Sequence, residues 1–284
     1  MKKLGMVIIN YNDYDMTKRI LDNVIDYAII DKIVIVDNCS TDDSYQRLQN
    51  LNYMNVDLIK TDKNGGYAYG LNYGAKYILK TLIDATIIFS NSDVIIKNES
   101  DLNKLSNDIT DEVKVVGPVI EEHGRLNRGW KKTTPFKEIL FNLPLISRYF
   151  KNKLLYYKDE YYDGEFSNVD VVSGCFFLVD GKTLRDINYF DENTFLYYEE
   201  LILSSKIRNI GKKVMIDNRV HIIHDHSVTI DKNVKKIKKY QMLKESQRYY
   251  VKNYLKANFI QMFFLWLTNK LSLLILKIRC LLNK

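Results

Sequence analysis

Short apolar runs punctuate the first third of the chain, and between them the apolar positions fall three or four residues apart. The runs predict strands over 4–9, 32–36, 56–59 and 86–89, and the spaced stretches predict helices over 16–27, 44–51 and 67–82. Strand and helix in alternation imply a parallel sheet with right-handed crossovers. Residues 115–118 read as a further strand. From about 121 to 168 the periodicity fades and aromatics mix with Lys, Asp and Gly, which predicts a long, partly mobile excursion over the site. Residues 169–179 read as a strand pair or hairpin. A helix is expected within 195–210, ended by Gly211, followed by strands over 213–216 and 220–223 and helical segments over 234–255 and 259–282.

The strands end on polar side chains. Asn10-Tyr11-Asn12 follows the first, Asp37-Asn38-Cys39-Ser40 the second, and Asn91-Ser92-Asp93 closes the run at 85–89 before β-branched Val94-Ile95-Ile96. Ligands of α/β proteins bind outside the carboxyl ends of such strands, so these ends point to one nucleotide site. An acid on a short turn there is suited to hold a metal and a phosphate. Asn64-Gly65-Gly66 opens the 67–82 helix, where glycines let backbone amides approach a ligand. Its spacing is not a dinucleotide fingerprint, and the turn after the first strand has no glycine. For Asp37, the pattern Asp-Asn-x-Ser also suits a plain turn.

Charge changes the picture at the chain's end. The net charge is +7, yet 232–284 carries 13 Lys and Arg against one acid, Glu245, leaving a mildly acidic remainder. The basic residues of 232–284 are interleaved with Phe259, Ile260, Phe263, Phe264, Trp266, Leu267, Leu271 and Leu274, a pattern for a membrane surface and not for nucleic acid. Lys270 splits the apolar run, so an interfacial helix is expected in place of a spanning one. Packing on the body or on a second copy, giving a homo-oligomer, stays open. Cys39, Cys175 and Cys280 match no metal or redox spacing and predict a reducing compartment. No export signal is expected, because the apolar stretch behind Met1-Lys2-Lys3 breaks at Asn10. A catalytic domain over 1–230 and a helical extension over 231–284, membrane-associating or oligomerising, are expected.

The ordered motifs VIINYN, VDNCSTDDS, NGGYAYGLNYG, FSNSDV, VVSGCFFLV, FDENTFLYYEE and HDHS, spread from about Met6 to Ser227, resemble the family 2 glycosyltransferases of bacterial surface polysaccharide synthesis, in particular the rhamnosyltransferase-like branch. The resemblance implies an α/β GT-A-type mixed sheet with a Rossmann-like nucleotide-binding half. It implies that Asp37 contacts the nucleoside, with Tyr11 stacking, Asn12, Asn38 and Ser40 bonding nearby, and Asn64, Gly65 and Asn72 also on the nucleotide sugar. Asn91 and Asp93 stand at the family's D-x-D-type element, so Asp93 would hold Mg2+ or Mn2+ with His224 as a second ligand and His226 as a weaker alternative. Ser173 and Gly174 match the turn below the donor sugar and acceptor, and Cys175 is read as packing. Glu200 stands at the catalytic base, with Glu199 the alternative.

The same resemblance implies an inverting, metal-dependent, non-processive hexosyltransferase using a UDP- or dTDP-linked donor and a saccharide acceptor, lipid-linked in capsule or O-antigen synthesis. It would work in the cytoplasm, peripheral at the inner face of the cell membrane. The processive Gln-x-x-Arg-Trp signature is missing, Ser246-Gln247-Arg248-Tyr249-Tyr250 being a different pattern. A nucleotidyltransferase would need a Gly-rich basic turn after the first strand. A noncatalytic nucleotide-sugar-binding partner stays open, because Asn91 and Glu200 depart from the commoner acids.

Overall fold

A computed structural model describes residues 2–225 and 236–282. The chain begins as alternating strands and helices: β1 (Leu4–Asn10), α1 (Tyr14–Val24), β2 (Lys32–Asp37), α2 (Ser44–Gln49), β3 (Val56–Lys60), α3 (Tyr67–Thr81) and β4 (Thr86–Ser90). These four strands pair in parallel in the order β3-β2-β1-β4. Both faces of the sheet are covered, so its strands are apolar at nearly every position. Met6, Ile8, Ile33 and Ile35 join one core with Ile20 and Leu21 of α1, while Val7, Val34 and Val36 join the other with Leu71, Ala75 and Ile78 of α3. Each fully buried Val, Leu, Ile or Met among them contributes roughly 1.5–3 kcal/mol. The α3 backbone comes so close to β1 that a Cβ at Gly74 would lie 2.5 Å from Val7 Cγ1.

The sheet continues with β5 (Val94–Ile95), α4 (Glu99–Asn107), β6 (Val113–Glu122), β7 (Arg125–Asn127), α5 (Pro135–Phe141), α6 (Pro144–Leu155), a 3-10 turn at Asp159–Tyr162, β8 (Phe166–Val169), β9 (Phe176–Asp180), α7 (Gly181–Asp186), α8 (Glu199–Asn209) and β10 (Lys213–His224). β9 inserts antiparallel between β4 and β6, and β6 runs parallel to β10. The sheet is therefore mixed beyond β4. The helices α9 (Lys236–Asn253) and α10 (Phe259–Leu282) follow.

The structure corrects several expectations. Residues 169–179 form no hairpin, because β8 pairs with β10 while β9 joins β4 and β6. The expected strands over 213–216 and 220–223 are one strand, β10, with a register shift between Asp217 and His221. Its polar Asp217-Asn218-Arg219 segment sits at that irregularity, with Asn218 donating to Gly164 O and Ser167 Oγ. Residues 121–168 are a hairpin, two helices and a strand, not an irregular excursion. Their helices have Pro at the start, and Thr134 caps α5 by accepting from Lys137 N. The apolar side chains Phe136, Leu145, Tyr149 and Phe150 face outward, so no buried-face period marks these helices in the sequence.

Lys270 does not interrupt α10, which runs 24 residues and is long and apolar enough by length and composition to cross a membrane. One face of it is nevertheless held by the body. Leu265, Thr268 and Ser272 are buried, and Leu265 shares a core with Val171, Leu201, Ile202, Tyr250 and Val251.

Candidate functional site

The ends of β1 and β2 are joined by side chains. Asn10 pairs with Asp37 in register, and Asn10 Nδ2 donates to Asp37 Oδ2 (2.8 Å) and Ser40 Oγ (3.1 Å). Asp37 Oδ1 accepts from Ser40 N at 3.0 Å, which is the turn that the Asp-Asn-x-Ser pattern predicts. Asp37 is fully buried. The next residues adopt left-handed conformations, Asn12 at φ 52°, which Asn tolerates, and Cys39 at φ 62°. Asn12 N donates to Ser40 Oγ, and its side chain bonds Thr41. Tyr11 is half-buried beside them.

The third strand end is stitched on by Asn38. Its Nδ2 donates to Gly66 O (3.0 Å) and Asn64 Oδ1 (3.3 Å), and its Oδ1 accepts from Thr61 Oγ1. Gly66 has φ +97°, and a Cβ there would lie 2.3 Å from Phe195 O, so only glycine fits. Tyr67 N donates to that same Phe195 carbonyl (2.8 Å), tying the start of α3 to the loop before α8.

Tyr67 connects the remaining motifs. Its hydroxyl donates to Asn91 Oδ1 (2.6 Å) and lies 3.3 Å from Gly174 O, while Asn91 N donates to Cys175 O. Burial, followed by the charges of Glu199, Asp93 and Glu200, pushes the Tyr67 phenol well above its usual range, so it stays a donor. A Cβ at Gly174 would lie 3.6 Å from Glu200 Oε2, so that carboxylate stands over the Ser173-Gly174 turn. The Cys175 thiol is buried and pushed up to about 12, in keeping with packing and not nucleophilic chemistry.

Asp93 is nearly buried at the turn between β4 and β5. The pairing of His224 with Val94 brings the end of β10 alongside, and Asp225 N donates to Asp93 O (2.9 Å). His224 Nε2 lies 3.2 Å from Asp93 Oδ1, so the imidazole and the buried carboxylate form a pair. Glu122 Oε2 is 3.8 Å from His224 Nδ1 on the other side. Burial lowers the His224 imidazole pKa, but the Asp93 and Glu122 carboxylates outweigh it and hold the value above the ordinary one. Among the described residues no group of three or more His, Cys, Asp or Glu side chains forms a metal cage. A buried carboxylate oxygen beside an imidazole nitrogen still fits a divalent cation with two protein ligands, the cation taking the place of the imidazolium proton. His226 lies outside the described residues.

Glu199 and Glu200 open α8 after two left-handed residues, Tyr197 (φ 75°) and Tyr198 (φ 74°). Glu199 is buried with no partner for Oε1, whereas Glu200 is half-buried. Burial, then the Glu200 charge, raises the Glu199 pKa, and burial raises that of Glu200. The turn is buttressed from afar. Tyr198 Oη donates to Glu138 Oε2 (2.7 Å), Gln247 Nε2 donates to the same oxygen (2.8 Å), and Ser246 Oγ donates to Leu196 O. Glu138, Tyr67 and Gly66 carry no sequence signal of these roles, because their partners are remote along the chain.

Asn72 is the expected site residue that the structure does not bring to this cluster. Its amide donates to Phe190 O and Glu192 Oε1 and accepts from Phe190 N, so it braces the 190s loop.

Glu199 offers a stability test. Its folded pKa stands above its unfolded value, so its stabilising contribution is complete below the unfolded value near 4.5 and is lost as pH rises through the folded one. Glu199→Gln is neutral at every pH. Its Tm should match wild type in acid and exceed it by about 5 °C at alkaline pH. A difference in Tm that does not change with pH would contradict the burial of an ionising Glu199.

Comparisons with known proteins bear on the family and the fold. The model of glycosyl transferase family 2 matches residues 6–187. The low-salt glycan biosynthesis hexosyltransferase Agl10 of Haloferax volcanii is 24% identical over 222 residues, a match that covers 75% of this chain and 66% of that protein. GalNAc-T7, solved with UDP, GalNAc and Mn2+, superposes with a TM-score of 0.58 at 15% identity, over 79% of this chain and 44% of its own. The Pyrobaculum calidifontis mannosyltransferase PcManGT, solved with GDP-Man and Mn2+, gives 0.56 at 14% identity, over 95% and 72%. Residues 1–349 of S. aureus TarS give 0.54 at 15%, over 95% and 80%. At these identities the structures share a GT-A-like fold. With a family match running from β1 through β9, across the strand ends that assemble most of the site, this chain belongs to glycosyl transferase family 2.

Proposed function

We propose that the protein transfers a hexose from a UDP- or dTDP-linked donor to a saccharide acceptor, lipid-linked in cell-surface polysaccharide synthesis, with inversion at the anomeric carbon and one addition per encounter. The observation that carries this reading is buried Asp93 paired with His224 at 3.2 Å, while Tyr67 links Asn91 of the same turn to the Gly174 carbonyl over which Glu200 stands. Asp37, Asn38, Ser40 and Asn12 shape the nucleoside end, and Tyr11 stacks on the base. Asn64 and Gly65 line the phosphate side. Asp93 and His224 hold the cation. A bound Mg2+ or Mn2+ supplies charge neutralisation for the departing diphosphate. Glu200, half-buried and standing over Gly174, takes the acceptor proton, its proton affinity raised by burial, while the buried Glu199 beside it has its own pKa raised by burial and by the Glu200 charge. Proton NMR of the first-formed product tests the stereochemistry. An inverted anomeric signal supports a single displacement with Glu200 as base, and a retained one contradicts it.

The basic, apolar α10 seats the enzyme peripherally on the inner face of the cell membrane in this reading. Its middle is fastened to the body by buried Leu265, Thr268 and Ser272, which favours lying along the interface over crossing it. Replacing Phe263 and Trp266, both about half exposed, by Ser should abolish flotation with anionic vesicles and leave donor hydrolysis intact. Unchanged flotation would remove the membrane role of this helix.

A further inference from the structure

The two helices between β7 and β8 carry an outward apolar surface that the sugar-transfer site does not use. Phe136 of α5 is 64% exposed, and on α6 Leu145 is 72%, Tyr149 65% and Phe150 54% exposed. Single exposed apolar residues are ordinary, but four large ones within 15 positions form a patch. Leu145 and Tyr149 stand one turn apart on the same side of α6.

This patch adjoins α10. The helices α5 and α10 pack together, and Asn142, just past α5, donates to Thr268 Oγ1 at 3.1 Å in a buried contact. Lys244 of α9 donates to the same Asn142. The outward aromatics Phe259, Phe263 and Trp266 are carried by the helix that packs on α5.

Charge selects the occupant. The basic residues on α5 and α6 are Lys137, Arg148, Lys151 and Lys153, and the one acid, Glu138, is buried against Tyr198 and Gln247. On α10 the charges are Lys270, Lys277 and Arg279, with no acid. A second copy seated on this face by twofold symmetry would bring two basic surfaces together. Anionic headgroups match it, and the acyl boundary takes the apolar side chains between the bases.

We infer that α5, α6 and α10 form one membrane-seating face for an anionic lipid bilayer, with Leu145, Tyr149 and Phe150 entering beside the aromatics of α10. The inference rests on the membrane reading of α10 given above and extends it to the catalytic body. Glu138 joins this face to Tyr198, the residue immediately before Glu199 and Glu200. Seating thus fixes the catalytic turn relative to the bilayer plane and suits an acceptor presented from the lipid surface.

The full chain carrying Leu145→Ser, Tyr149→Ser and Phe150→Ser tests this by flotation on phosphatidylglycerol–phosphatidylcholine vesicles and on phosphatidylcholine alone. The expected result is a partition coefficient lowered on the order of tenfold on anionic vesicles, with soluble donor hydrolysis unchanged. A second variant, Arg148→Glu with Lys151→Glu and Lys153→Glu, should lose the preference for anionic vesicles, and it decides the matter if the first folds poorly. Wild-type flotation of both, while the Phe263 and Trp266 variant fails to float, would overturn the role of α6 and leave that of α10. Wild-type flotation of the α10 variant too would overturn both readings. Unchanged flotation with a shift from dimer to monomer in light scattering would assign the face to a second copy and overturn the inference.

Discussion

Replacing Glu200 by Gln leaves donor affinity close to wild type and slows sugar transfer by roughly 10²–10⁴-fold. The substitution keeps the side chain's length over Gly174 and removes its ability to accept a proton. Glu200 is the more open of the two carboxylates at the start of α8, and burial holds its pKa above the usual carboxylate range, toward the pH at which a base works best. Glu199 is buried with an unpartnered oxygen, so Glu199→Gln should change stability with pH more than it changes transfer. Comparing kcat and donor Kd for the two variants separates the roles. A dead Glu199→Gln beside an active Glu200→Gln would exchange them.

Asp93→Ala should abolish the effect of Mn2+ on donor binding as well as the activity that depends on it. The substitution also removes the carboxylate paired with His224, so the His224 pKa should fall back toward its ordinary value in the same variant. Asp37→Ala should behave differently. It strips partners from Asn10 Nδ2 and Ser40 N, so it weakens donor binding and also lowers stability by an amount on the order of 1–3 kcal/mol. Asp37→Asn keeps part of that bonding and isolates the effect on binding. Calorimetry of nucleoside diphosphate with and without Mn2+ reads all three. Metal-dependent binding that survives in Asp93→Ala would remove that residue from the cation.

The nucleotide half of the fold is legible in the sequence because its strands are buried on both faces, so Val7-Ile8-Ile9 and Ile33-Val34-Ile35 stand out as runs between amphipathic helices. The site's local parts are legible for the same reason. Asp37 with Ser40, and Asn91 with Asp93, lie where such runs end. What escapes is long-range or faces outward. Tyr67 meets Gly174 across more than a hundred residues, and Glu138 meets Gln247 at a similar remove. The helices α5 and α6 hide because their apolar residues point to the surface, which removes the period that marks a buried face. Asn72 shares a motif with Asn64, yet the turn of α3 carries it toward Phe190 and not toward the strand ends.

The most direct measurement is phosphorus NMR of the full chain with a panel of nucleoside-diphosphate sugars and Mn2+. Wild-type protein should replace the diphosphate signals of at least one UDP- or dTDP-linked donor with those of the free nucleoside diphosphate. Removal of Mn2+, Asp93→Ala and Glu200→Gln should each suppress that change. A folded wild-type protein that binds a donor but consumes none, with or without a saccharide acceptor, would contradict sugar transfer and mark the chain as a noncatalytic binding partner.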